Sequence, residues 1–279
     1  YLHIGSPKTG STSIQEIFAQ NREALYKQNF IYPGNNPDHH FLYFAGKAPR
    51  EKWPRHFKGI EINRLQAYVR NYFSGLEEDF RKGENVIMST EYIFIDDEEL
   101  VKNIFKYLRQ FFSKIEVFTF LRKPVDYYKS FQQQLIKGQS YIESPQSFKY
   151  KFKSVIETWL PLCDSLTVLD FNKSKNSFIR LCEKMGISTD ELGHVDHRSK
   201  GSVSLEQMLM MEKVYKKLYA ERDDQLTGKL HVKTIARIGA PFVSKPKLLK
   251  WVQGVVQQNH KNDLQWLKNE YGINFLKGG

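Results

Sequence analysis

Cysteine is scarce in this chain: Cys163 and Cys182 are its only two in 279 residues. Both stand in apolar-rich segments, without the close spacing of a thiolate metal site. A disulfide-stapled secreted scaffold is therefore excluded, and the pair reads as reduced core residues of a cytoplasmic protein. Long apolar runs are missing too, none approaching the roughly 20 residues that span a bilayer. Membrane contact is then at most peripheral. The start carries no secretory leader, and opening on Tyr1 implies that a few residues have been trimmed. No Pro/Gly/Ser-rich linker, internal repeat or low-complexity tract interrupts the apolar patterning from Tyr1 to Phe275. One domain over 1–279 is expected, with a helical C-terminal extension over about 204–279.

Charge is not scarce, and it is unbalanced. Lys and Arg number 42 against 31 Asp and Glu, a formal net charge of +11. A basic surface suits a ligand with several negative charges and would steer an anionic acceptor. The basic residues are spread along the chain, with no nucleic-acid motif and no repeated basic-aromatic platform, so no specific nucleic acid is expected. The charge does not define an oligomeric state.

A coarse pass predicts an α/β fold: a mainly parallel central sheet flanked by helices on both faces, with a helical C-terminal part. Strands are predicted at 1–4, 85–90, 115–121 and 165–171. Helices are predicted from Ser13 onward, then at 61–81, 97–112, 124–137, 147–160 and 174–185, the last ended by Gly186. The tail reads as helical over 204–222, where Ser204 and Gln207 make a capping box, and over 246–271. Ligands of such sheets bind beyond the C-terminal ends of the strands.

Two motifs sit at such ends. Directly after the first strand, Ile4-Gly5-Ser6-Pro7-Lys8-Thr9-Gly10-Ser11-Thr12-Ser13 is a glycine-bracketed loop with one lysine inside it, leading into a helix N-terminus. Unpaired backbone N–H groups and the helix dipole there favour a phosphate-like anion. The alternative is a glycine loop that binds nothing. A nucleoside-triphosphatase loop needs Gly-Lys-Ser/Thr at its end. Here Ser11 stands where that lysine belongs and Lys8 lies between the glycines, and no acidic strand end of the magnesium-holding kind is evident. A sulfuryl group, less charged than a γ-phosphate, would need the cation but could dispense with the metal. The second motif follows the strand 115–121: Arg122, then Pro124 at a helix start, a place for a second anion or for a surface salt bridge with Asp126.

Together, Gly-Ser-Pro-Lys-Thr-Gly-Ser-Thr at 5–12 and Arg-Lys-Pro-Val-Asp-Tyr-Tyr-Lys-Ser at 122–130 resemble the two signature regions of sulfotransferases that use 3′-phosphoadenosine 5′-phosphosulfate. The resemblance is to the bacterial, carbohydrate-type branch of this P-loop-like family. It implies that Ser6, Pro7, Lys8, Thr9, Gly10, Ser11, Thr12 and Ser13 hold the 5′-phosphosulfate, and that Arg122 and Ser130 hold the 3′-phosphate, with no metal required. Lys123 departs from the asparagine common in the second region. A basic, glycine-containing loop at 197–202 is similar to one that closes over the nucleotide in several branches, which would bring Arg198 and Lys200 to it; a solvated loop is the equal alternative.

Transfer to a hydroxyl needs a general base, which the family takes from histidine or glutamate. Glu91, after the strand 85–90, is the first choice; capping of the following acidic helix is its structural alternative. His39 and His40, after a Tyr-Pro-Gly turn, compete as base or acceptor contact. His194 and His197 lack a third metal ligand, so no metal site is read from them. Aromatic residues over 30–57, including Tyr32, Phe41, Tyr43, Phe44 and Trp53, could stack on sugar rings or cover the sheet. The basic stretch 225–250 could be a lid or a plain connection. The expected activity is sulfuryl transfer to a hydroxyl of a carbohydrate or glycolipid, an anionic one included. A small hydrophobic alcohol and a protein tyrosine stay open as acceptors. The competing activities are a P-loop-type kinase using magnesium-ATP and a non-catalytic module binding nucleotide or nucleic acid.

Overall fold

The computed structural model describes residues 1–82, 85–139, 143–173, 176–193 and 248–276, with Met208, Met210 and Lys213. The predicted helix at 204–222 lies largely outside these, as do the stretch 225–247 and the loop carrying Arg198 and Lys200. The chain gathers into two compact units, Tyr1–Arg122 with Lys151–Asp196, and Lys123–Tyr150 with His197–Gly279.

The first unit is built on four parallel strands in the order β4-β1-β5-β6: β1 Leu2–Ile4, β4 Met88–Thr90, β5 Glu116–Leu121 and β6 Ser165–Asp170. The predicted strand 85–90 is broken at Ile87. Its first piece, β3 (Asn85–Val86), pairs in parallel with β2 (Phe30–Ile31), and the Ile87 N–H donates to the Ile31 carbonyl at 2.8 Å. β5 is buried over nearly its whole length, as the inner strand of a parallel sheet must be.

Strand alternation sends side chains to two apolar layers. Leu2, Ile4, Met88 and Val117 meet one set of helices: α4 (Ile62–Phe80), α5 (Glu98–Leu108) and α7 (Phe152–Trp159). Phe118, Phe120 and Leu169 meet the other: α1 (Ser11–Gln20), α2 (Arg22–Tyr26) and α8 (Ser177–Met185). A short helix, α3, spans Arg55–Lys58. Local signals fix the helix ends. Asp97 caps α5, accepting from the Leu100 N–H at 3.2 Å, and Glu98 and Glu99 occupy its first turn. Asn176 caps α8, and Gly186 closes it in the left-handed conformation. Truncating Phe118 or Phe120, each at most 1% exposed, would cost about 3–5 kcal/mol.

The second unit contains α6 (Pro124–Gln139) and two C-terminal helices, α9 (Lys250–Asn259) and α10 (Lys261–Tyr271). Sequence periodicity predicted one helix over 246–271 and another over 147–160. Both expectations are corrected by His260. It ends α9 and starts α10, its Nδ1–H donating to the Val256 carbonyl at 2.7 Å while Nε2 accepts from the Tyr150 N–H at 2.8 Å. That last bond holds Tyr150 outside any helix, and α7 begins only at Phe152. Neither glycine nor proline marks the break, so periodicity alone could not find it.

A polar chain runs through the core of the first unit. Nδ1 of His3 lies 2.8 Å from Ser89 Oγ. The Ser89 N–H donates to His39 Nδ1 at 3.1 Å, and the opposite ring edge of His39 meets the Pro33 carbonyl at 3.1 Å. These partners fix His39 as the neutral Nε2–H tautomer. Burial pushes His39 down to about 4 and His3 to about 3. Both values are depressed below the ordinary histidine range, so the unfolded chain binds more protons than the fold between about pH 6.5 and pH 4. Stability should therefore be full above pH 6.5 and fall as pH drops through that window, His39 alone removing about 3 kcal/mol. Urea unfolding at pH 7 and pH 4.5 measures this; equal stability at the two values would mean that the pair is charged in the folded protein.

Candidate active site

β1 leads its chain toward β2 on one side, and β5 lies on the other side with β6 beyond it. The crevice at the C-terminal ends of β1 and β5 is thus a topological switch point. The first loop sits there. Gly5 extends the β1–β4 pairing by one bond, its N–H donating to the Thr90 carbonyl at 2.9 Å. The chain then folds back so tightly that a Cβ on Gly5 would land 2.8 Å from the Ser11 Cβ and closer still to its Oγ. Ser6 and Thr9 are fully buried, and the Thr9 hydroxyl donates to the Ser6 carbonyl at 2.5 Å. These two staple the loop from within. Pro7 is half-buried, while Gly10 and Thr12 face outward and Ser13 is half-buried.

Two left-handed residues shape the turn: Lys8 at φ 66° and Gly10 at φ 78°. For a lysine this backbone costs roughly 1–2 kcal/mol. What it achieves is visible at Arg122, whose Nη1 donates to the Lys8 carbonyl at 3.0 Å across a separation of 114 residues. The same guanidinium lies 5.5 Å from the centre of the Phe171 ring, which follows β6. The two sequence motifs therefore meet, the Arg122 guanidinium of one bonding to the Lys8 backbone of the other. Gly10 opens α1 without any side-chain cap or first-turn acid. The Ser11 Oγ is buried and has no hydrogen-bond partner among the described residues. An uncapped helix start with an orphaned buried hydroxyl is an arrangement that an anion would complete.

The neighbouring strand end brings the candidate bases. Glu91 follows Thr90 directly, its Cβ 3.5 Å from the point where a Gly5 Cβ would stand. Because Asp97 caps α5, Glu91 does not serve as that helix's cap. His39 and His40 have opposite fates. His39 is 1% exposed and belongs to the buried polar chain, whereas the His40 side chain is 20% exposed, with Nδ1 at 3.1 Å from Thr90 Oγ1 and 3.5 Å from Asp38 Oδ1. Its ring lies against that of Tyr92, centroids 3.8 Å apart. Burial, with the carboxylates of Glu91 and Asp38 nearby, pushes the Tyr92 phenol up to about 12.

Sequence reasoning missed Asp38, Thr90, Tyr92 and Phe171. A signal existed for Asp38, since an aspartate accepting the N–H two residues on is a common turn device; His40 N–H donates to Asp38 Oδ1 at 3.1 Å. Of the aromatic residues over 30–57, Tyr32 is buried with its hydroxyl on the Pro37 carbonyl, and Tyr43 donates to the Lys52 carbonyl. Phe41, Phe44 and Trp53 pack edge and face in a cluster with Phe57. Ser130 lies in α6 of the second unit. A cavity of ≈ 540 Å³ opens at the opposite, N-terminal edge of the strands, between Leu2, Val86, Leu108 and Phe111. It carries none of the chemical groups named above. No helix among the described residues is long and apolar enough to cross a membrane.

No family model matches this chain, and no curated protein matches it. Among solved structures it is similar to the crystal structure of a sulfotransferase from Alicyclobacillus acidocaldarius. The identity is 12% and the TM-score 0.46, over 83% of this chain and 94% of that one.

The two glycines of the loop should respond differently to alanine. At Gly10 the new Cβ meets only Phe171, at an ordinary 3.6 Å, so the cost is the left-handed backbone alone, about 1 kcal/mol. At Gly5 it collides with the first residue of α1, and a loss of about 1–3 kcal/mol is expected. Thermal unfolding of Gly5→Ala and Gly10→Ala checks the order; a Gly5 variant as stable as wild type would show that α1 can retreat.

Proposed function

We propose that this protein transfers a sulfuryl group from 3′-phosphoadenosine 5′-phosphosulfate to a hydroxyl of a carbohydrate or glycolipid. One observation carries the reading: Arg122 bonded to the Lys8 carbonyl beside the uncapped start of α1, where Ser11 Oγ is buried without a partner among the described residues. The place of Lys8 between the glycines, with Ser11 after Gly10, favours this donor over a nucleoside triphosphate.

In this reading the backbone N–H groups at 10–13 and the hydroxyls of Ser11, Thr12 and Ser13 cradle the anionic end of the donor, and Gly5 lets that cradle close. Arg122 takes a second phosphate through its planar fork. The donor, when bound, supplies an activated sulfuryl group on a phosphate leaving group. Lys8 steadies the negative charge that develops on the leaving oxygen, and Glu91 or His40 takes the acceptor's proton.

Calorimetric titration with 3′-phosphoadenosine 5′-phosphate, and separately with magnesium-ATP, tests the donor. Metal-independent binding of the bisphosphate is expected, weakened roughly 10–100-fold in Arg122→Ala and only partly restored by Arg122→Lys. Lys8→Gly relieves the strained backbone, so it should bind more weakly with no loss of thermal stability. Binding of magnesium-ATP alone would sink the proposal and favour a kinase. Binding of neither, with salt-dependent affinity for nucleic acid, would leave a non-catalytic module.

A further inference from the structure

We propose that Asp38 is a positioning residue which, with Thr90, holds His40 as the Nδ1–H tautomer and so makes Nε2 the nitrogen that accepts the acceptor's proton. This rests on the sulfotransferase reading above, and it selects His40 rather than Glu91 as the base.

The geometry is local and redundant. Asp38 Oδ1 accepts the His40 backbone N–H at 3.1 Å and stands 3.5 Å from the ring Nδ1. Thr90 Oγ1 lies 3.1 Å from the same nitrogen. That oxygen also accepts the Tyr92 N–H at 3.2 Å, which fixes where its lone pairs point. The Asp38 carboxylate favours a proton on this ring nitrogen, one that the Thr90 hydroxyl oxygen can also accept, and a neutral imidazole carries only one. Tyr92, stacked 3.8 Å away at 30°, holds the plane of the ring. Among the described residues, the titratable groups seen against this ring are Asp38 from the preceding turn and Tyr92 just after β4.

The adjacent histidine shows the opposite arrangement. His39 receives an N–H at Nδ1 and places its Nε2 against a carbonyl, so its basic nitrogen is spent inside the fold. His40 uses Nδ1 for anchoring. When the acceptor hydroxyl gives up its proton to Nε2, the electron pair stays on the acceptor oxygen, and the resulting imidazolium is stabilised by the Asp38 carboxylate.

The tautomer can be read without any acceptor. In ¹⁵N-labelled protein at pH 8, with His40→Gln used for assignment, His40 should show the pattern of a protonated Nδ1. Asp38→Asn keeps an oxygen for the backbone N–H but removes the charge, and should shift the ring toward the Nε2–H form. It should also slow carbethoxylation of His40 by diethyl pyrocarbonate at least threefold, and Asp38→Glu should restore most of the rate. A wild-type ring in the Nε2–H form, or a ring indifferent to Asp38→Asn, would overturn the assignment. Bisphosphate titration of the same samples keeps the two ideas apart. Unchanged donor binding with the wrong tautomer overturns the role of Asp38 alone, whereas the expected tautomer without donor binding overturns the reading on which that role depends.

Discussion

The parallel pairing of β1 with β4 on one side and β5 on the other sets everything at the candidate site. Ile4 pairs with Thr90, so the first residues beyond those strands, Gly5 and Glu91, stand level. Leu2 pairs with Val117, so Arg122 lies two residues farther out than Gly5, roughly 7 Å along the strand direction. That offset brings a long guanidinium to the outer part of the loop, where it meets the Lys8 carbonyl. Leu121 pairs with Asp170 in turn, which sets Phe171 beside Arg122 and accounts for the ring against its guanidinium. A one-residue slip in any of these ladders would send each side chain to the opposite apolar layer and separate all four groups.

The same alternation sorts the polar residues of β4. Ser89 faces inward, where its hydroxyl and backbone are taken by His3, Gln15 and His39. Thr90 faces the other way and meets His40 and Tyr92. Two consecutive histidines thus become a structural bridge and a partly exposed ring. Their difference comes from the strand that they touch. Burying a neutral, fully bonded imidazole is tolerable; burying a charged one is not, which ties the integrity of this edge to the neutral state of His39.

Much of this architecture was legible in the sequence because its signals are local. Apolar runs ending in Gly5, Glu91 and Arg122, a capping aspartate at 97 and a closing glycine at 186 each act within a few residues. The α/β assignment and the sites of both motifs follow from them. The missing parts have tertiary causes. His260 breaks a helix by bonding to Tyr150, 110 residues away, the strand 85–90 divides where Ile87 turns to Ile31, and Phe171 matters through a register that only pairing defines. Asp38 was hidden differently: its turn signal was present, but its target, a ring nitrogen fixed by Thr90, was not.

Lys8 brings these levels together. A left-handed backbone is strained for lysine and free for glycine, so a chain selected for stability alone would carry glycine there. The strain turns the carbonyl toward Arg122 and the following N–H groups toward the start of α1, and glycine would allow the same turn. What glycine cannot supply is a side-chain amine, the group that the proposed sulfuryl transfer needs near the leaving oxygen. Retaining lysine at a position where its backbone costs stability is what a residue kept for its charge would do, and strain of this kind gathers at functional sites for that reason.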